Sequence, residues 1–390
     1  MPAARELDIV LFGATGFTGG LTADYLATHA PPGLRWALAG RNADKLETVR
    51  DRLASLDERW DELPLLHADV TDPDTLAAVA ERARVVITTV GPYLEYGEPL
   101  VAACAAAGTD YVDLTGEPEF VDLMWAAHHE TAVDSGARLV HACGFDSVPH
   151  DLGALFTVGH LPDDQAISLR GVVRLKATFS GGTFHSAMHS FSRRGEMREA
   201  RSARRSAEPR PEGRSSKPTG ARPHRDPVLG YWLLPLPTID PIIVARSGAA
   251  LPAYGPRFRY SHFAGTRTLP YAVGGALGAG LLGLAAQVRP LRELALRRVP
   301  RGEGPDAARR DASWFTVHFV GEAGGQTVRT KVSGGDPGYT ETSKMLAQSA
   351  LCLAFDDLPP TAGQVTTAQA MGQALIDRLR ADGITFEVVA

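Results

Sequence analysis

Cysteine is scarce. The chain has three in 390 residues, Cys104, Cys143 and Cys352, too widely spaced for a disulfide framework or a clustered zinc set. A disulfide-held fold is thereby excluded, no metal ligands are expected, and a reducing cytosol is the expected compartment. A charge excess of either sign is also missing. Forty Lys and Arg stand against 45 Asp and Glu, and 44% of the residues are apolar, which excludes a disordered chain and a nucleic-acid partner. No secretory leader is expected before the first apolar run, and internal repeats are not evident. The length allows two or three domains around a large core.

What is present starts with the strand-like run Leu7-Asp8-Ile9-Val10-Leu11-Phe12, which enters Gly13-Ala14-Thr15-Gly16-Phe17-Thr18-Gly19 directly. The glycines allow a tight turn and let a diphosphate approach the main chain without meeting a Cβ. The amphipathic helix that follows then aims its unpaired N–H groups at the phosphates. A second strand, Trp36 to Gly40, ends at Arg41-Asn42, where an NAD-preferring site carries an acid for the ribose hydroxyl. A guanidinium there grips a 2′-phosphate instead, so Arg41 argues for NADP(H), with Lys45 one turn later as added charge. After a third strand, Asp69-Val70 is placed to flank an adenine.

Residues 1–150 alternate strand and helix, with strands expected near 7–12, 35–39, 64–68, 84–90, 110–114 and 137–142. Such alternation predicts an α/β fold, a Rossmann-type doubly wound parallel sheet with right-handed crossovers. Ligands bind these sheets at the carboxyl ends of the strands, so motifs far apart in sequence converge on one crevice. Three more follow strands: Val90-Gly91-Pro92-Tyr93, Asp113 to Glu117, and the polar cluster from Cys143 to Asp151.

From 151 to 335 the alternation stops, and an inserted mixed α/β second domain is expected for substrate binding or dimerisation. It includes a hairpin of Trp314–Val320 with Gln326–Val332. Residues 193–225 carry eleven Lys and Arg against four Glu and read as a mobile basic loop. Residues 268–288 carry no charge, but five glycines and five alanines dilute the leucines. That run reads as a helix, buried or touching a membrane beside an apolar substrate channel, rather than a true span. Residues 336–390 are expected to form helices and a strand that pack back on the first domain.

Taken together with Gly40-Arg41-Asn42, Ser180-Gly181-Gly182-Thr183 and Asp336-Pro337-Gly338-Tyr339, these motifs resemble the saccharopine dehydrogenase-like oxidoreductases over essentially the whole chain. The likeness is closest to the actinobacterial trans-acting enoyl reductase branch. It implies an NADP(H)-dependent reductase in envelope lipid and glycolipid synthesis, associated with the inner face of the membrane. On that reading the substrate is an acyl chain of polyketide type, and a homodimer is a candidate assembly. Tyr93 becomes the candidate for lining the nicotinamide, with Asp146, Ser147 and His150 as candidates for orienting substrate or relaying a proton.

Three other readings compete. A Tyr-x-x-x-Lys reductase is disfavoured because none of the five lysines follows a tyrosine by four positions. A C–N oxidoreductase acting on an amino-acid-derived substrate needs a cationic pocket, whereas the second domain offers a Gly/Ala/Leu-rich segment. An NADPH-binding sensor or scaffold at membranes would bind cofactor without transferring hydride.

Overall fold

The structure, a computed structural model, describes residues 5–177, 181–220, 222–298 and 304–389. Its first part alternates β1 (Leu7–Phe12), α1 (Phe17–His29), β2 (Trp36–Gly40), α2 (Ala43–Ala54), β3 (Leu65–His67), α3 (Pro73–Arg82) and β4 (Ala83–Thr88). It continues through α4 (Tyr93–Tyr96), α5 (Glu98–Ala107), β5 (Asp110–Val112), α6 (Pro118–Ser135), β6 (Arg138–Val140) and α7 (Val148–Val158). β1 is buried at every position, which is why, apart from Asp8 paired with Arg35, it reads as a continuous apolar run rather than an alternating one. Its neighbours are parallel, with Val10 facing Ala37 on one side and Val86 on the other.

The second part runs β7 (Ala166–Lys176), α8 (Gly181–Ser192), α9 (Arg194–Ala207), β8 (Ser215–Pro218), β9 (His224–Arg225), β10 (Trp232–Pro235) and α10 (Asp240–Ala250). It goes on through β11 (Arg257–Thr266), α11 (Leu269–Gln287), α12 (Arg289–Arg298), α13 (Ala307–Asp311), β12 (Trp314–Ala323) and β13 (Gln326–Gly334). The chain ends with α14 (Thr340–Phe355), β14 (Gly363–Val365), α15 (Thr367–Ala370), α16 (Gly372–Ala381) and β15 (Thr385–Val388).

Two sheets result. The parallel one has the order β14-β6-β5-β4-β1-β2-β3, and the mixed one runs β15-β13-β12-β7-β11-β10-β9, with β8 on β11. The hairpin forms with Ala323 opposite Gln326. Helix α7 joins the two layers. A Cβ on its Gly153 would lie 2.3 Å from Phe319 and 2.9 Å from Val332, so only glycine lets the helix sit this close to the second sheet. On the other side, Asp151 accepts from Ser247 Oγ, Thr367 Oγ1 and the Ala368 N–H, tying α7 to α10 and α15.

Three expectations are corrected. The C-terminal strand does not return to the first domain: β15 pairs with β13, and it is the three-residue β14 that extends the parallel sheet. Helix α14 does pack on that sheet, against β1, β4 and β5. The basic stretch 193–225 is not a mobile loop. Arg, Glu, Met and Ala are good helix formers, and the 14-residue α9 lies along α6 with Arg193 on Glu119 and Arg204 on Asp122. Nor is the apolar run buried. Helix α11 packs on α8, β10 and β11, but its leucines face outward, Leu281 at 67% exposure and Leu284 at 68%.

Candidate functional site

Strand order reverses between β1 and β4, and the motifs converge at that switch point, on the carboxyl ends of β1, β4, β5 and β6. Gly13 has φ +97°, and a Cβ there would lie 2.7 Å from Thr89 Oγ1. At Gly19 a Cβ would fall 2.1 Å from the Gly13 carbonyl oxygen. The turn therefore closes on itself with no room for side chains. Gly16 is the N-cap of α1, no side chain caps the helix, and its first turn holds no acid. The leading N–H groups stay free for an anion, and this cradle fits a dinucleotide diphosphate. Ala14 is buried while Thr15 and Gly16 are exposed at the turn's outer edge.

Two members of the motif serve as supports. The Phe17 ring meets Tyr339 edge-on at 4.9 Å, and Gly304 packs so closely that a Cβ would lie 2.2 Å from it. The Thr18 carbonyl accepts from Ser343 Oγ at 3.3 Å. The turn is thus braced from the far end of the chain, through Asp336, whose carboxylate accepts the Tyr339 and Thr340 N–H groups.

At the adenosine end Arg41 is exposed at the tip of β2, with Lys45 exposed one turn on. Asn42 caps α2, its side-chain oxygen accepting from the Lys45 N–H at 2.9 Å. The Asp69 carboxylate is held below its ordinary range by the N–H and hydroxyl of Thr71, with Arg41 adding to the effect, so Arg41 and Asp69 face the same corner. Val70 packs on the apolar layer beside it. No acid stands at the tip of β2 to repel a 2′-phosphate. Arg41→Ala is expected to weaken NADPH binding about ten- to a hundredfold by titration calorimetry, with NADH unchanged, the loss of one charge-assisted fork.

At the other end the candidates separate. Val90, Gly91 and Pro92 reach the crevice, and Thr89 secures the β4 end by donating to the Gly13 carbonyl at 3.1 Å. Tyr93 does not join them. It is 5% exposed, its hydroxyl donates to the Thr88 carbonyl and accepts from the Leu114 N–H, and its ring packs on Phe120. Burial, followed by the Asp113 charge, drives its pKa well above the ordinary phenol value, so it is a strut and not a proton source. Ser147 is fully buried with its hydroxyl unpartnered among the described residues. His150 also points inward.

Asp146 is the one of the four candidates that is not fully buried. It is half-buried, and no described residue hydrogen-bonds its carboxyl. Gly116 leaves it room, since a Cβ there would come within 2.9 Å of Asp146 Oδ2. Burial first, then the Asp240 charge, push its pKa up to about 6, with His150 pulling the other way. Behind it lies a buried cluster. His150 Nδ1 is 2.9 Å from Asp240 Oδ1, and His262 Nε2 is 3.5 Å from Asp240 Oδ2. Burial alone raises Asp240, but His150, then His262 and Thr238, bring it below the ordinary carboxylate value. His262, pushed down to about 4 chiefly by burial, stays neutral at pH 7.

Sequence reasoning missed Asp240 and His262. The first reads as a helix start before Pro241, the second as one residue of an alternating strand. It also left Glu117 without a role. That buried carboxylate accepts from the N–H groups of Tyr93 and Leu94 and from Ser186 of α8, which fixes the turn after Pro92. Ser180 lies outside the described residues.

Comparison with known proteins agrees with this geometry. Residues 9–140 match the saccharopine dehydrogenase NADP-binding domain. The protein Rv2449c of Mycobacterium tuberculosis, whose name carries trans-acting enoyl reductase as a provisional assignment, is 43% identical over 98% of this chain and 97% of its own length. The trans-acting enoyl reductase of Mycobacterium bovis is 39% identical over 98% of both chains. Among solved structures, saccharopine dehydrogenase (L-Glu forming) from Saccharomyces cerevisiae superposes with a TM-score of 0.56 at 14% identity, covering 98% of this chain and 100% of its own, a likeness of fold.

Proposed function

The chain belongs to the saccharopine dehydrogenase-like NADP-dependent oxidoreductases, in their trans-acting enoyl reductase branch, and from that premise we propose that it reduces the C=C bond of an enoyl group. We infer further that the enoyl group sits on a polyketide-type acyl chain destined for an envelope lipid or glycolipid. The observation that carries the reaction is Asp146, a half-buried carboxyl with a raised pKa in the turn after β6.

The Gly13–Gly19 turn and Arg41 would hold NADPH, which when bound would supply hydride for the β-carbon. The protein's own task is to position the acceptor and deliver a proton to the α-carbon. Asp146 holds that proton below about pH 6 and still carries it on a minority of molecules at neutral pH. Asp240, shared by His150 and His262, keeps a negative charge behind Asp146 and so favours the protonated acid. Glu117 holds the turn after Pro92 and, through Ser186, sets the position of α8.

The charge acting most strongly on Asp146 is negative, the buried Asp240 carboxylate. A substrate with two or three carboxylates would meet repulsion there, which disfavours the amino-acid-linked C–N reaction. The test is incubation with stereospecifically deuterated NADPH and an enoyl thioester. Deuterium on the β-carbon of the saturated product is expected. Cofactor binding without transfer to any enoyl acceptor would leave a sensor or scaffold instead.

A further inference from the structure

Helix α11 is the part of the surface that neither cofactor binding nor proton delivery uses. From Thr268 to Val288 the chain carries no charge for 21 residues. One side of the helix is spent on protein: Ala272 and Ala286 are buried, and Gly275 would place a Cβ 3.4 Å from Leu234 of β10. The other side faces outward, with Val273, Leu277, Leu281 and Leu284 spaced by four, four and three residues, a single helical face. Tyr271 stands at one end of it, 76% exposed. Helix α12 then adds half-exposed Leu291 and Leu294. Charge is confined to the flanks, Arg267 before the run and Arg289, Arg292, Arg297 and Arg298 after it, against the single acid Glu293.

We propose that the outer face of α11 and the arginines of α12 dock on an anionic lipid bilayer, as an interfacial element and not a span. A span is excluded by the packing, because a helix pressed along one side on α8, β10 and β11 cannot be surrounded by hydrocarbon. An interfacial seat suits both features: leucines enter the acyl boundary while the guanidiniums stay at the headgroups and pair with phosphates. A second copy of the chain fits less well, since it brings five arginines and one glutamate against their like. The seat also has a place in the fold. Helix α11 packs on α8, whose Ser186 holds Glu117 at the crevice, and the chain after α12 returns at Gly304 against Phe17 of the diphosphate turn. Docking itself does not depend on the enoyl assignment.

The test is co-sedimentation of the full chain with vesicles of phosphatidylcholine alone or mixed equally with phosphatidylglycerol, with NADPH affinity measured in parallel. Partition to the mixed vesicles is expected to be about tenfold stronger, and to weaken with added salt. Leu277→Asp, Leu281→Asp and Leu284→Asp together are expected to abolish binding to both vesicle types. Arg297→Glu with Arg298→Glu should remove only the anionic preference. Each variant should retain NADPH affinity, which reports an intact fold and keeps this outcome separate from that of the enoyl assay. Absence of partition by the parent chain, or equal partition by the aspartate variant, overturns the proposal. So does an aspartate variant that turns a sedimenting dimer into a monomer, since the face would then join two copies.

Discussion

Asp146→Asn is expected to lower kcat for enoyl reduction by about 100- to 10,000-fold, the usual weight of a positioned proton donor, while leaving NADPH affinity unchanged. The substitution keeps the shape and removes the proton. The raised pKa, about 6, gives the loss a signature in pH. The acid form is the working form, so wild-type kcat should be full below that value and fall roughly tenfold per pH unit above it. The Asn variant should show a flat profile across the same range. The substitution should act on stability in the opposite sense to its effect on kcat. A carboxyl whose pKa is raised by folding favours the fold while protonated and costs stability as pH rises through the folded value. At pH 8 the Asn variant should melt no lower than the parent, and activity and stability then part company, as they do where a site holds a group against its preference. A variant that keeps most of its kcat, or keeps the descending limb, removes Asp146 from the chemistry.

Much of the framework behind this prediction is visible in the sequence, for a physical reason. Parallel strands buried on both faces must be largely apolar, as β1 and β4 are apart from Asp8 and Arg84 near their starts and Thr88 at the end of β4, and their helices must be amphipathic, so the alternation is written locally. Gly13, Gly19 and Arg41 are equally local, since each answers to its own strand end. What the sequence does not carry is the direction of a side chain after a turn. Tyr93 follows Gly91-Pro92 and looks poised over the cofactor, yet Glu117 captures its N–H from 24 residues away and the ring turns into the core. Long-range convergence is also silent. Asp240 and His262 belong to a helix start and a strand of the second part of the chain, and only tertiary structure brings them to His150. The three-residue β14 has too little pattern to be distinguished from a loop, and it becomes the edge of the parallel sheet only through Gly363–Val365 pairing with β6.

The basic stretch shows the same limit in its sharpest form, because composition there points to solvent and the structure points to the interior. Arg204→Ala is expected to destabilise the protein by about 3–5 kcal/mol, the cost of leaving a buried charge without its partner. Arg204 and Asp122 are almost wholly buried, 5% and 1% exposed at the side chain, and Glu208 closes on the same guanidinium. Burial already pushes the Asp122 carboxyl up, with Arg204 as the first of the charges that oppose it, so removing the arginine leaves only the weaker effects of Arg246 and Arg201 against desolvation. A thermal midpoint several degrees below the parent should report this. The paired change Arg204→Met with Asp122→Leu separates the loss of attraction from the cost of an orphaned charge. Apolar replacement of a buried pair is often neutral or better, so the double variant should recover most of the lost stability. The more exposed Arg193, 41% exposed and facing Glu119, should matter far less when replaced, within about 1 kcal/mol. If Arg204→Ala melts with the parent, α9 is not anchored to α6 and the stretch behaves as its composition suggests. If it melts early and the double variant recovers, one basic residue among eleven determines that a chain segment fit for solvent becomes a wall of the fold.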